Sequence, residues 1–191
     1  MLKKLRAPGL AFVASTLLLA AASVPALGQQ QPPQRVSPPG IAGSVIEGNR
    51  VTIYYSRPYT KDPKTGEARK IWGGLVPFDK VWRTGANEAT LLVTQKPIQV
   101  GDVTVPAGAH TLFTIPKEDG ATLIINKQVG QHGMQHDEKQ DVGRVEMKKE
   151  STDRAADQFT ITVSKNPDGE GGMIRMIWAD RQYTVPFTNA K

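Results

Sequence analysis

Short runs of alternating apolar and polar residues, each closed by a turn-forming cluster, recur from residue 44 to residue 187. Val51, Ile53 and Tyr55 alternate with Thr52, Tyr54 and Ser56, and Gly48-Asn49 ahead of them would turn a hairpin back to residues 44–47. Ala89, Leu91 and Val93 follow the same period. Gly101-Asp102 separates Ile98–Val100 from Val103–Val105, and Pro106-Ala107-Gly108 precedes Thr111, Phe113 and Ile115. Glu118-Asp119-Gly120 leads into residues 122–126. Phe159, Ile161 and Val163 run up to Asn166-Pro167-Asp168-Gly169. Ile174, Met176 and Trp178 reach Asp180-Arg181, beyond which lie Tyr183, Val185 and Phe187. Period two places successive side chains on opposite faces of a strand, so each run has one face to bury. Strands this short and evenly spaced predict an all-β fold, and no βαβ rhythm points to a parallel sheet. The expected architecture is an antiparallel β-sandwich, with a jelly roll or barrel as related ways of closing it, and little helix. Short helical turns are expected only within residues 71–80 and 151–156. Pro186 has no N–H for a ladder, so the last run predicts an edge strand.

The N-terminus reads as an address. Lys3, Lys4 and Arg6 precede an uncharged apolar run, residues 10–24, and Ala26-Leu27-Gly28 supplies the small residues of a cleavage site. The run is shorter than the ~20 residues of a membrane-spanning helix. Residues 1–28 are therefore expected to be a signal peptide, with no membrane span after cleavage. Residues 29–40, QQQPPQRVSPPG, read as a disordered leader, and residues 41–191 as a single β domain. Removing the three basic residues of the signal leaves 21 Lys and Arg against 18 Asp and Glu, a charge of +3. No nucleic-acid-binding surface is implied. The chain has no cysteine. That excludes a disulfide, a thiol nucleophile, Cys-ligated zinc and a cysteine-linked lipid anchor. A periplasmic or secreted protein is the expectation.

One stretch departs from alternation. Residues 69–90, RKIWGGLVPFDKVWRTGANEAT, hold Trp72 and Trp82, three glycines, and the polar group Arg83, Thr84, Asn87 and Glu88. Aromatic anchors and glycines describe a shaped loop. Gly85 allows a chain reversal, Arg83 offers a planar fork of donors, and Asn87 and Glu88 offer acceptors. The stretch predicts a polar shelf for a small ligand, with Trp72 or Trp82 as a stacking face. Arg57, His110 and Asn126 are further candidates for that shelf. The competing reading is a buried Arg83–Glu88 pair with Asn87 closing the turn.

A second cluster is His132-Gly-Met-Gln-His136-Asp137-Glu138. His132 and His136 have the spacing of two ligands on one helical face, and Asp137 adds an oxygen, but Gly130 and Gly133 oppose a helix and no HExxH pattern is present. These three are weak metal candidates. No GxSxG elbow, phosphate-binding loop or dinucleotide fingerprint occurs, and no cofactor is expected.

The strings RKIWGGLVPF and VWRTGANEAT, continued by Pro106-Ala107-Gly108, Leu112-Phe113-Thr114-Ile115-Pro116 and Asn126-Lys127, resemble DUF2911, a family of exported bacterial proteins. The resemblance runs from about Tyr54 to Phe187. It implies an exported, largely β domain with no assigned activity. The family pattern has tyrosine where this chain has His110, and tryptophan where it has His132, so two aromatic rings are replaced by imidazoles.

The expected function is non-enzymatic ligand binding, of a glycan or an organic anion, through Arg83, Asn87 and Glu88. The alternatives are a hydrolase using Glu88 with His110 or His132, and a metal site at His132 and His136.

Overall fold

The computed structural model describes residues 35–152 and 155–191. The expected signal peptide, the first part of the leader and two residues of the second expected helical turn lie outside the described residues. Eleven strands follow in order: β1 Pro39–Ile46, β2 Asn49–Ser56, β3 Thr90–Thr94, β4 Ile98–Val100, β5 Val103–Val105, β6 Gly108–Pro116, β7 Gly120–Asn126, β8 Asp141–Glu150, β9 Ala156–Lys165, β10 Gly172–Ala179 and β11 Arg181–Asn189. They form one sheet in the order β1-β2-β3-β6-β7-β8-β11-β10-β9, with β4 bridging from β11 to β5. Each of these pairings is antiparallel. The all-β, antiparallel expectation holds, and the sheet curls almost into a barrel.

Backbone and side chains together make the closure. The chain beyond β2 pairs briefly with the start of β9: Phe159 N–H donates to Pro58 O at 2.9 Å and Thr60 N–H to Asp157 O at 2.7 Å. Further along, the Tyr55 hydroxyl accepts from Ile161 N–H at 2.9 Å and donates to Ile161 O at 3.3 Å. Arg57 donates from Nε to Phe159 O at 3.2 Å and from Nη2 to Thr160 Oγ1 at 2.9 Å. Backbone groups that an open edge would leave bare are thus satisfied.

The interior is apolar. Val51, Ile53, Leu92, Leu112, Leu123, Ile161, Ile174 and Val185 are buried in it. Near one end an aromatic cluster fills the space. Trp82 stacks on Trp178 with ring centroids 5.8 Å apart, and Trp72 stands edge-on to Trp82, Trp178 and Tyr183. Trp72 Nε1 donates to Trp178 O at 3.1 Å. At another point Asn49 is fully buried: its amide donates to Asn189 Oδ1 at 2.8 Å and its oxygen accepts from Lys96 N–H at 3.0 Å. A smaller cluster, Ala89, Phe113 and Ile124, lies apart from this core. The His136 ring lies 4.8 Å from that of Phe113.

Several details differ from the sequence reading. β8 was not expected, because only Val145 and Met147 along its ten residues are buried and the others leave no apolar stripe. β1 begins at Pro39, ahead of the expected start of order, since its ladder with β2 extends to Pro39–Ser56. The first hairpin turns on Glu47 and Gly48, both at positive φ, which frees Asn49 for its buried role. Pro186 lies within the sheet, where β11 passes from pairing β8 at Gln182–Thr184 to pairing β4 at Phe187–Asn189. The missing N–H is tolerated there because that side has no ladder partner at residue 186. Among the described residues the only helical element is a single 3₁₀ turn at Glu138–Gln140.

Candidate functional site

The loop that carries Arg83 is held in an unusual backbone shape. Thr84, Gly85 and Asn87 have φ of 54°, 149° and 63°. A β-branched residue at positive φ is strained by about 1–3 kcal/mol and persists only where its surroundings enforce it. Here they do. Thr84 is buried and shares a 2.7 Å hydrogen bond with Thr114 Oγ1, while Thr90 Oγ1 donates to Thr84 O at 2.6 Å. The Asn87 amide donates to Ser56 Oγ at 3.1 Å and to Ser37 O at 3.4 Å. Trp82 joins the loop to the sheet through paired hydrogen bonds with Thr114, each 2.8 Å. Gly85 fits because a β-carbon there would lie 2.8 Å from Ser56 O.

On one side of this loop is a cavity of 280 Å³ lined by Tyr59, Arg69, Leu75, Arg83, Asn87 and Trp178, among others. No carboxylate is among its lining residues. Arg83 makes no hydrogen bond or ion pair among the described residues, so its five donors are free. Arg69 donates from Nη2 to Tyr59 O, yet its buried Nε has no partner. Trp178 is 1% exposed, and its indole N–H has no partner either. Both nitrogens are closed to solvent, so the free guanidinium of Arg83 is the donor group this cavity offers. Arg69 and Trp178 were not singled out by sequence reasoning. They come from different elements, and no local spacing connects them to Arg83.

The other expected shelf residues are distributed elsewhere. Glu88 is the neighbour of Asn87 but faces away from Arg83, and the buried Arg83–Glu88 pair does not exist. Glu88 is instead exposed and ion-paired with Arg35, whose hydrogen bond lowers the Glu88 carboxyl below its ordinary value. Arg57 is committed to the seam with β9. Trp72 is buried and Trp82 half-buried in the aromatic cluster, and neither lines the Arg83 cavity. His110 is 5% exposed on β6, paired in register with Leu92; burial lowers its pKa, and its Nδ1 has no partner. Asn126 is fully buried, donating to Asp137 O and Asp141 Oδ1 at 2.8 Å each and accepting from Gln128 N–H at 2.9 Å.

The histidine cluster divides in two. His136 Nε2 lies 2.8 Å from Asp141 Oδ1, and Arg144 bonds the other Asp141 oxygen at 2.9 Å. Burial alone would raise the Asp141 carboxyl, but the bonds from Asn126, His136 and Arg144 outweigh it and hold it below the usual value. Asp137 caps the 3₁₀ turn by accepting from Lys139 N–H at 3.0 Å. His132 is exposed and pairs along the backbone with Glu88, while its Nδ1 accepts from Met134 N–H at 3.3 Å. Among the described residues no three His, Asp or Glu side chains converge as metal ligands would.

A sequence profile described as "Protein of unknown function (DUF2911)" matches residues 37–187, from the strap that meets Asn87 to the end of the core-facing part of β11. The chain belongs to this family. The matched span takes in the Arg83 loop, the aromatic cluster and the seam, and all of the β structure except the last two residues of β11. Comparison with curated proteins and with solved structures finds no match. No helix among the described residues is long and apolar enough to cross a membrane.

Proposed function

We propose that this DUF2911 domain binds a small organic anion, without chemical turnover, in the cavity between Arg69, Arg83 and Trp178. The observation that supports this reading is the polarity of the cavity. Two arginines, one of them without any partner, line a space with no carboxylate on its walls. A planar guanidinium matches a carboxylate or phosphate with two parallel hydrogen bonds. A neutral glycan would need acceptors for its hydroxyl hydrogens, and this cavity is rich in donors, so an organic anion suits it better than a glycan. The basic and apolar segment at the N-terminus supports export to the periplasm or beyond as the place of action; N-terminal sequencing of the processed protein tests that point.

The binding reading is tested by thermal shift and calorimetry with citrate, succinate and inorganic phosphate, using glucose oligomers as neutral controls. A true ligand at 100 times its Kd stabilises the fold by about 2.7 kcal/mol. At least one anion class should raise Tm, and Arg83→Ala should remove the shift while leaving the unliganded fold intact. Stabilisation by neutral sugars alone, or anion binding indifferent to Arg83→Ala, would overturn the proposal.

A further inference from the structure

The cavity that holds Arg83 also has an apolar wall. Three large side chains on it stand open to solvent: Val36 is 54% exposed, Tyr59 40% and Leu75 50%. Pro58 and Pro63 complete the wall. Single exposed apolar residues are ordinary on a protein surface, but three from separate segments around one concavity are not. Each is fastened through its neighbours. Val36 lies between Arg35, which is ion-paired with Glu88, and Ser37, whose carbonyl accepts from the Asn87 amide at 3.4 Å. Tyr59 lies between Pro58 and Thr60, both bonded to the start of β9. Leu75 N–H donates to Lys70 O and Val76 N–H to Ile71 O, each at 2.9 Å. The fold thus holds these side chains at the mouth of the cavity.

The polar end of the cavity is narrow in its chemistry. Arg83 has all its donors free, whereas Arg69 has Nη2 on Tyr59 O and a closed Nε. One free guanidinium fork takes one carboxylate. A second carboxylate on the same small ligand would come against Val36, Tyr59 or Leu75, whose side chains have no donor to replace its hydration on the apolar wall. An apolar group in that position gains by leaving water, and apolar walls strengthen the pull of Arg83 on the single charge. At 280 Å³ the cavity is at the small end for ligand pockets, the size for one ring.

We infer that the ligand of this site is a monocarboxylate with a single aromatic ring, an arylalkanoate, its carboxylate on Arg83 and its ring against Tyr59 and Leu75. This rests on the anion-binding reading above and narrows it from organic anions in general to one amphipathic class.

Three probes of similar shape separate the two claims. 3-Phenylpropionate has a phenyl ring where succinate has its second carboxylate, and 3-phenylpropanamide keeps the ring without the charge. Calorimetry on the purified protein should show 3-phenylpropionate saturating one site about tenfold tighter than succinate, the gain from burying roughly half of the ring. It should also bind about tenfold tighter than the amide, the size of a charge-assisted pair. Tyr59→Ala and Leu75→Ser, both at exposed positions where folding is not at stake, should each cut the preference over succinate, and the double variant should erase it. Arg83→Gln should weaken both acids and leave the amide unchanged. Tyr54→Ala, exposed on β2 and outside this cavity, should change nothing. Succinate binding that needs Arg83 but equals or exceeds that of 3-phenylpropionate, or a ring preference that survives the double variant, would overturn the inference and leave the anion reading standing. Binding of neither acid, or of acid and amide alike, would overturn both.

Discussion

Gly133 lies flat against the stem of Arg83. A β-carbon at residue 133 would stand 2.6 Å from Arg83 Cδ and 2.7 Å from its Cβ, and 2.8 Å from Asn87 O. The pairing of residues 131–133 with 87–89, through Gly133 N–H to Asn87 O at 3.1 Å, therefore depends on a missing side chain. Gly133→Ala must push Arg83 out of position. We expect anion affinity to fall by at least tenfold, and stability by about 1–3 kcal/mol from the overpacking. Gly130→Ala is the control. Gly130 has a φ of 83° and open space around it, so alanine there adds backbone strain of about 1–2 kcal/mol and leaves affinity alone. Calorimetry and urea unfolding on the two variants separate the effects.

Trp82→Ala should destabilise the fold by about 3–5 kcal/mol, the range for deleting a large aromatic side chain from a core. Trp82 stacks on Trp178 and meets Phe159 at 5.1 Å, so its removal opens a hole between three rings. A ligand-stacking residue on an open shelf would cost far less. Urea denaturation decides between them, and a loss below about 1 kcal/mol would contradict the packing described here.

His110 gives the protein an acid sensitivity of known sign. Burial lowers its pKa in the folded state from 6.5, so below that pH the unfolded chain binds more protons than the folded one. Its contribution is complete above pH 6.5 and is lost as pH falls toward the lowered folded value. The slope from this one group is at most about 1.4 kcal/mol per pH unit. His110→Phe should flatten the stability profile between pH 6.5 and 5.5 relative to the parent. Parallel slopes in the two proteins would show that His110 does not titrate differently on folding.

Asn126 ties the segment of residues 127–140 to the base of β8. Asn126→Ala removes donors to Asp137 O and Asp141 Oδ1 and an acceptor for Gln128 N–H. The expected loss is about 2–3 kcal/mol. The first visible consequence should be faster limited proteolysis within residues 127–140, with the remaining strands still protected.

How far the sequence foretold this depends on the distance between partners. Ten strands were legible because alternation is local, and Tyr55 in with Tyr54 out follows from period two alone. β8 was not, since Gly143 and the charged residues around Val145 and Met147 hide its single buried face. Gly143 itself is needed because a β-carbon there would sit 2.5 Å from Val103. Arg83 and Asn87 could be found as a polar loop between aromatic anchors. Glu88 was grouped with them by adjacency, but the chain turns at Asn87, whose φ is 63°, and Glu88 pairs with Arg35 instead. Arg69 and Trp178 left no local trace as neighbours of Arg83, because the three line one cavity only when β10 is folded over the loop.

The seam between Tyr55 and Ile161 joins residues 106 positions apart. A chain growing from the ribosome cannot make that contact until its last third has been synthesised, and loop-closure entropy is spent before any of the bonds repay it. Until then the inner face of β1 and β2 is a bare template for other chains. Products truncated before β9 should therefore aggregate instead of persisting as partial barrels, and the protein's dependence on holdase chaperones during synthesis should be set by this late-arriving strand.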